Sequence, residues 1–348
     1  MHDSKKETFL ASSDNEPKRI RKCEVMLNQT KMKNILVLGD LMLDEYIKGK
    51  VGFSSNEGVE TFKIKKGYKF PGGTANVAAN VAAMGANVYL AGVIGNDEAA
   101  EKLIRILEKT GNVNTDLLIR EDNRRTTVRT RLYANNCANK IRVDIDTKKR
   151  LSKSTEIHLL DLVFEKLPNL DCIIISDYRQ GVVNRNLARW MIKYANKNNI
   201  PILVDTKRKS LSLYEGATAL FPNMLEFTKI VGKELETDEE LVVSAREIIQ
   251  TLNLNYLVVK NGAEGGLLIT EEMYFQESSN KTKIVSTIGA GDSLIAGFAI
   301  GLALGYSPVD AFKLGIITAT CAVKKEYTST VTFEDIKQYS NNLLETLF

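Results

Sequence analysis

Short apolar runs recur along the chain, each closing near a glycine or a charged residue. Ile35–Gly39, Val88–Val93, Cys172–Ser176, Ile202–Asp205, Tyr256–Lys260 and Leu267–Ile269 have the length and near-continuous hydrophobicity of strands buried on both faces. Between them lie stretches with helical spacing of apolar positions: Ala75–Met84, Asp97–Thr110, Arg185–Asn198, Asp238–Leu252, Asp292–Leu304 and Pro308–Lys325. Strands alternating with helices predict a doubly wound α/β fold, a mostly parallel sheet flanked by helices on both faces. Ligands in such sheets bind off the carboxyl ends of the strands, where Gly39, Asp40 and Asp205 are expected.

Two stretches break the rhythm. Tyr46–Lys65 and Thr126–Asp144 alternate polar and apolar residues without a helical period. They are expected to pair as a small β-sheet lid, with segments at about 46–65 and 126–144, lying over the strand ends. Thr127, Arg129 and Arg131 are two apart and share a strand face, as do Lys140, Arg142 and Asp144. Turned inward, Arg129, Arg131 and Arg142 would offer guanidinium forks to a phosphate already on the substrate. Turned outward, they would protect an exposed sheet edge. Residues 1–32 are polar and lysine-rich, without an apolar signal core, and read as a disordered tail before a folded domain spanning 33–348.

Composition narrows the function classes. The 348 residues are 44% hydrophobic and 26% charged, enough for a sizeable core in one large α/β domain or two ordinary ones. A net charge of +4 is small for that length and gives no reason to expect a nucleic-acid partner. With only His2 and His158, His-based triads and His-rich metal sites are excluded. Cys23, Cys137, Cys172 and Cys321 are widely spaced, without the C-x-x-C pairs of structural zinc, as in a reduced cytoplasmic protein. The charge-free run Leu294–Tyr306 covers 13 residues. That is short of the roughly 18 needed to span a bilayer, so no membrane association is expected.

The chemistry concentrates in Ser286–Phe298. Gly289 and Gly291 let a ligand approach the main chain, and the helix start that follows favours an anion through its free N–H groups and dipole. Asp292 stands at that start. A carboxylate beside an anion is unfavourable unless it acts, and accepting a proton from a hydroxyl attacking phosphorus is the obvious action. The plain alternative is a helix N-cap. Gly72 and Gly73 precede a helix carrying Asn76 in its first turn, where Asn76 either bonds a sugar's hydroxyls or, with Thr74, caps the helix. Asn223 and Glu226, three apart at another helix start, suit the water shell of Mg²⁺ as well as an ordinary cap. Gly262–Gly265 forms a tight turn after Tyr256–Lys260.

Together these segments resemble both signatures of the ribokinase-like, or pfkB, family of carbohydrate kinases: one across Gly72–Gly95, the other across Ser286–Ala299. The resemblance runs from Lys33 onward and implies a ribokinase-like fold and ATP-dependent transfer of the γ-phosphoryl group to a sugar hydroxyl. It implies Asp292 as catalytic base, Gly289, Ala290 and Gly291 as an anion hole, and Asp40, Asp44, Gly72, Gly73 and Asn76 as sugar-contacting positions. Asn223 and Glu226 match the family's Asn-x-x-Glu motif, which positions Mg²⁺ through water, with Lys260, Gly262 and Gly265 on the ATP side. A monovalent cation is a further candidate, although Ser286 stands where many relatives have Asp.

Gly39–Tyr46, Ser55–Glu57, Ile141–Asp144, Ser176–Tyr178 with Gly181, Asp205–Lys207 and Thr328–Val331 also resemble one group within that family. Its members phosphorylate D-glycero-D-manno-heptose 7-phosphate at the anomeric hydroxyl, on the route to ADP-heptose. The departures, Asn56 for a proline and Asn136–Lys140 for Arg-Asn-Gln-Gln-Leu, fall on the sugar side. A ribose- or fructose-type kinase and a non-catalytic ligand-binding relative are the alternatives. The resemblance also implies a homodimer joined through the lid. No nucleotidyltransferase domain is expected within these residues.

Overall fold

The computed structural model describes residues 25–134, 139–166, 169–279 and 282–340. It opens with α1 (residues 25–30), β1 (Asn34–Gly39), β2 (Leu41–Ser54), β3 (Val59–Gly73), α2 (Thr74–Ala83), β4 (Asn87–Gly95), α3 (Glu98–Thr110), β5 (Val113–Asn114) and β6 (Leu118–Glu121). Next come β7 (Thr127–Ala134), β8 (Asn139–Ile145), α4 (Lys153–Phe164), β9 (Cys172–Asp177), α5 (Arg185–Lys197), β10 (Ile202–Thr206) and β11 (Ala219–Leu220). The chain continues through α6 (Met224–Val231), α7 (Asp238–Leu252), β12 (Tyr256–Lys260), β13 (Gly266–Ile269), β14 (Tyr274–Glu277), α8 (Ala290–Ala303), α9 (Pro308–Val323) and α10 (Phe333–Ser340). Among the described residues no helix is long and apolar enough to cross a membrane.

The six apolar runs all lie in one sheet, ordered β14-β13-β12-β11-β10-β9-β1-β4-β5, with β6 beside β4. Pairing is parallel from β4 through β1, β9, β10 and β11 to β12. The run at Leu267–Ile269 differs from the other five in direction. The tight turn at 262–265 sends β13 back antiparallel to β12. Successive strand residues serve opposite faces, which explains the continuous hydrophobicity. Ile35, Val37, Cys172 and Ile174 pack under α2, α3, α8 and α9, whereas Leu36, Leu38, Ile173 and Ile175 pack under α4, α5 and α7.

The lid is a four-stranded sheet ordered β3-β2-β7-β8. Its hairpin is longer than the alternation suggested: β2 starts at Leu41, one residue after β1, and stays paired with β3 as far as Gly73. The root is apolar and buried at Leu41, Met42 and Leu43, so the lid strand grows directly out of the core. Gly72 and Gly73 therefore belong to the lid root rather than to a free loop. Ordered structure is also present ahead of Lys33. Residues 25–30 form a helical turn with Met26 and Thr30 buried, and the Thr30 hydroxyl donates to Met26 O. The rest of the expected tail, the lid residues 135–138 and the terminal 341–348 lie outside the described residues.

α8 and α9 pack closely because glycines face the partner helix. A Cβ on Gly297 would sit 2.5 Å from the Thr318 hydroxyl and 3.0 Å from Leu314 O. The Thr318 hydroxyl is committed to Ser293 O at 2.8 Å, so it has little freedom to yield. Gly297→Ala should cost about 1–3 kcal/mol, the usual cost of overpacking. The check is a urea titration in which the midpoint falls and the slope stays constant; an unchanged midpoint would show that the two helices separate freely.

Candidate active site

The Ser286–Phe298 stretch builds a turn that enters α8. Gly289 is its N-cap, at φ 85°, in the left-handed region where a side chain is strained. A Cβ there would also lie 2.9 Å from the Asn76 amide nitrogen, and one on Gly291 would lie 3.3 Å from Lys260 Nζ. Within the turn, the Ser293 amide donates to Gly289 O at 3.0 Å and that of Ala290 to Thr287 O at 3.4 Å. The amides of Gly291 and Asp292 are what the helix start offers to an anion.

Asp292 is 7% exposed. Asn76 Nδ2 donates to one of its oxygens at 2.7 Å and the Tyr178 hydroxyl to the other at 2.9 Å. Asn80, one turn further along α2, donates to Asn76 Oδ1 at 3.1 Å, and its own Oδ1 accepts from the Ser293 hydroxyl and the Val331 amide, both at 3.0 Å. Burial, with Asp205 nearby, raises the Asp292 carboxyl to about 6, although the bonds from Asn76 and Tyr178 and the charge of Lys207 pull it down. A carboxylate so held accepts a proton near neutral pH.

Beside it lies a cluster of charges from the ends of β10 and β12. Asp205 Oδ2 meets Lys260 Nζ at 2.8 Å, and Asp205 Oδ1 meets Lys207 Nζ at 3.3 Å. Lys207 also reaches Glu226 Oε1 at 2.8 Å. The other oxygen of Glu226 accepts the Asn223 amide at 2.9 Å, while Asn223 Oδ1 accepts the Glu226 amide at 2.8 Å. Asn223 and Glu226 thus form a capping box on α6.

Two clefts meet at Tyr178 and Lys207, beside Asp292. One, of about 550 Å³, is lined by Asn223, Lys260, Gly262, Gly265, the 289–292 turn and an apolar wall that includes Ile284, Leu294 and Ile316. The other, of about 1190 Å³, lies between the lid and the loops after β9 and β10. Arg129, Arg142, Arg179, Arg185 and Arg208 line it, and basic side chains outnumber the acidic Asp144, Asp146 and Glu156.

The remaining expected residues fall elsewhere. Asp40 is 1% exposed, and both its oxygens accept loop amides, from Gln180 at 2.9 Å and Val182 at 3.0 Å. Burial and neighbouring Asp177 raise its carboxyl to about 6. Asp44 accepts from Arg131 at 2.9 Å and from the Thr328 hydroxyl at 2.8 Å, with Gly72 packed against its carboxyl group. Asn76 does not cap its helix. The N-cap of α2 is Gly73, without a side-chain bond, and the Asn76 amide is on Asp292. Asp40, Asp44, Gly72, Gly73, Asn76 and Arg131 line neither cleft. Arg129 and Arg142 line the larger one, each also paired with Asp144. Tyr178, Lys207 and Asn80 were missing from the sequence-based set. The first two stand just past the ends of β9 and β10, and the third stands four residues after Asn76, a spacing that shares one helix face.

The fold and this site define a carbohydrate kinase, and the chain belongs to the pfkB family of carbohydrate kinases, whose family model it matches over residues 32–335. It is 32% identical over 314 residues to the bifunctional protein HldE of Hyphomonas neptunium and 33% over 312 residues to that of Pelobacter propionicus. Those matches cover 90% and 88% of this chain but only 64% and 63% of the relatives' length. Phosphofructokinase-2 from Escherichia coli, in complex with potassium, superposes with a TM-score of 0.74 at 21% identity over 89% of this chain and 98% of its own. Arabidopsis thaliana ribokinase, complexed with ribose and ATP, gives 0.71 at 18% identity over 88% and 98%. Both share the fold.

A raised carboxyl has a consequence for stability. Folded Asp292 keeps its proton up to about pH 6, whereas the unfolded chain releases it near 3.9. The native state therefore binds more protons in that window, and the parent loses stability as pH rises through it. Asp292→Asn should melt no lower than the parent at pH 7.5, with any advantage shrinking as pH falls toward about 4. A variant that melts several degrees lower at pH 7.5 would contradict the assigned environment.

Proposed function

We propose that this kinase transfers the γ-phosphoryl group of ATP to a hydroxyl of a sugar that already carries a phosphate, with D-glycero-D-manno-heptose 7-phosphate, phosphorylated at its anomeric hydroxyl, as the best candidate. The observation that carries this reading is the basic cleft meeting the donor cleft at Tyr178 and Lys207, with the Tyr178 hydroxyl on Asp292. Arginine forks suit a phosphate bound away from the reacting centre. The segments resembling heptose-phosphate kinases, and the HldE relatives at about 30% identity, favour heptose over other phosphorylated sugars.

In the proposed reaction Asp292 takes the proton of the sugar hydroxyl. That oxygen forms a bond to the γ-phosphorus, the bond to the β–γ bridging oxygen breaks, and its electron pair leaves with ADP. The Gly291 and Asp292 amides and the α8 dipole face the transferred group's charge. Lys260, Gly262 and Gly265 hold the rest of the nucleotide. The residues present fit Mg²⁺ held through water. Glu226 has one oxygen on Lys207 and the other on the α6 cap, so neither is a vacant direct ligand, while Asn223 and Asp205 line the donor cleft. Mg²⁺ bound there neutralises charge on the phosphates. The lid also exposes Phe53 (67%), Ile64 (67%), Ile141 (58%) and Val143 (51%), an apolar surface that supports pairing with a second copy.

With Asp292 as base, kcat should fall about tenfold per pH unit below about 6, as the carboxyl takes up its proton. A steady-state profile from pH 4.5 to 8.5 checks this, and a flat acid side would remove Asp292 from the role.

Arg142→Ala tests the substrate class, because that side chain is 57% exposed and has one described ion pair, to Asp144 at 3.0 Å. Loss of a charge-assisted bond should lower kcat/KM for the phosphorylated sugar roughly ten- to a hundredfold. The unphosphorylated sugar should change far less. Equal losses on both would make Arg142 a lid-stabilising residue, and a parent that prefers the bare sugar would overturn the phosphorylated-substrate reading.

A further inference from the structure

Tyr178 and Lys207 are the two residues that line both the donor cleft and the acceptor cleft. Tyr178 has a defined task, donating to the Asp292 carboxylate. Lys207 has none in the scheme above, yet its ammonium stands at the boundary that a phosphoryl group must cross. Nζ lies 5.5 Å from the centre of the Tyr178 ring, 2.8 Å from Glu226 Oε1 and 3.3 Å from Asp205 Oδ1. Its backbone amide donates a hydrogen bond to Asp177 O at 3.0 Å, so the side chain leaves the end of β10 at a fixed point.

Neutralising Asp205 does not by itself account for a lysine here. Lys260 already pairs with that carboxylate at 2.8 Å from the donor side. An ammonium has three donors, and two bonds to carboxylates leave one for a ligand oxygen. Burial works against the charge, but Asp205, Glu226 and Asp292 outweigh it and hold Lys207 fully protonated. An ammonium so held cannot act as a base. It can only hold position and meet negative charge.

We propose that Lys207 is a catalytic residue of the transfer, its ammonium touching the phosphoryl group as it passes from nucleotide to sugar; this rests on the kinase reading above. While the sugar oxygen bonds to phosphorus and the bridging oxygen departs with its electron pair, the hydroxyl proton goes to Asp292. Lys207 gives up none, and its N–H faces an equatorial oxygen throughout. That contact grows as the group loosens from ADP, so its effect falls on kcat rather than on substrate binding.

The experiment compares the parent with Lys207→Ala and Lys207→Met, each first checked by urea titration for an intact fold. Initial rates are measured with ATP and the phosphorylated sugar, in the absence and presence of methylammonium, with tetramethylammonium as the ionic control. Removal of one preorganised donor should lower kcat by about 10²–10³-fold with both KM values changed by less than about threefold. Methylammonium, which carries N–H donors, should restore kcat to Lys207→Ala in a saturable manner, whereas tetramethylammonium should not. A kcat within about threefold of the parent overturns the proposal, as does a loss confined to KM for ATP that methylammonium leaves untouched. A parent that phosphorylates no sugar at all would instead overturn the kinase reading, and this proposal with it.

Discussion

Everything at this site depends on keeping one carboxylate charged and aimed while nearly all water is excluded from it. Asp292 sits at the start of α8, where the helix dipole favours a negative charge. Burial alone would leave the group protonated and inert. Asn76 and Tyr178 prevent that by donating to its two oxygens. The direction of the Asn76 amide follows from its neighbour. Asn80 Nδ2 occupies Asn76 Oδ1, which turns Asn76 Nδ2 toward the carboxylate. A side chain fully buried in α2 thereby sets the chemistry of a residue more than 200 positions away in the chain.

Sheet order brings these pieces together. β1 lies between β4 and β9, so the chain leaving β1 and the chain leaving β9 emerge side by side. Asp40 is the first residue past β1, and its carboxylate accepts the amides of Gln180 and Val182 from the loop after β9. That loop carries Tyr178. Asp40 thus fixes the segment that delivers a donor to Asp292. Thr328 plays a comparable part from the far end of the chain: its hydroxyl donates to Asp44 at the lid root, and Val331 in the same segment bonds Asn80.

The doubly wound sheet, most helix limits and the glycine turn before Asp292 were legible in the sequence because each rests on local periodicity or on a backbone requirement. The same holds for the helix start at Asn223 and Glu226: the capping box uses one Glu226 oxygen, and the other lies on Lys207. What escaped were partners set by tertiary packing. Nothing local shows that Asn76 faces Asp292, or that Asp40 bonds a loop that the sheet order brings beside it. The lid's extent was underestimated for a similar reason. Leu41, Met42 and Leu43 form an apolar run, and only the structure shows that the main sheet's core continues into the lid through them.

The lid arginines show how one spacing yields two physical situations. Arg129 and Arg131 project from the same face of β7, yet the strand beside each supplies different partners. Arg131 lies against Asp44 at the buried root, over the ring of Tyr46, with its own side chain 17% exposed and that of Asp44 6%. A charge sealed in that way is costly to uncover and is fully used where it stands. Arg142 pairs along the outer strand β8 with Asp144, two residues on, and its side chain is 57% exposed. Its ion pair is screened by solvent and costs little to exchange for another anion. Arg129 holds Asp144 and Asp146 and, at 15% exposure, is as closed off as Arg131. Availability to a ligand thus differs between strands: the two arginines of the inner strand β7 are closed off, and the one on the edge strand β8 is open to solvent.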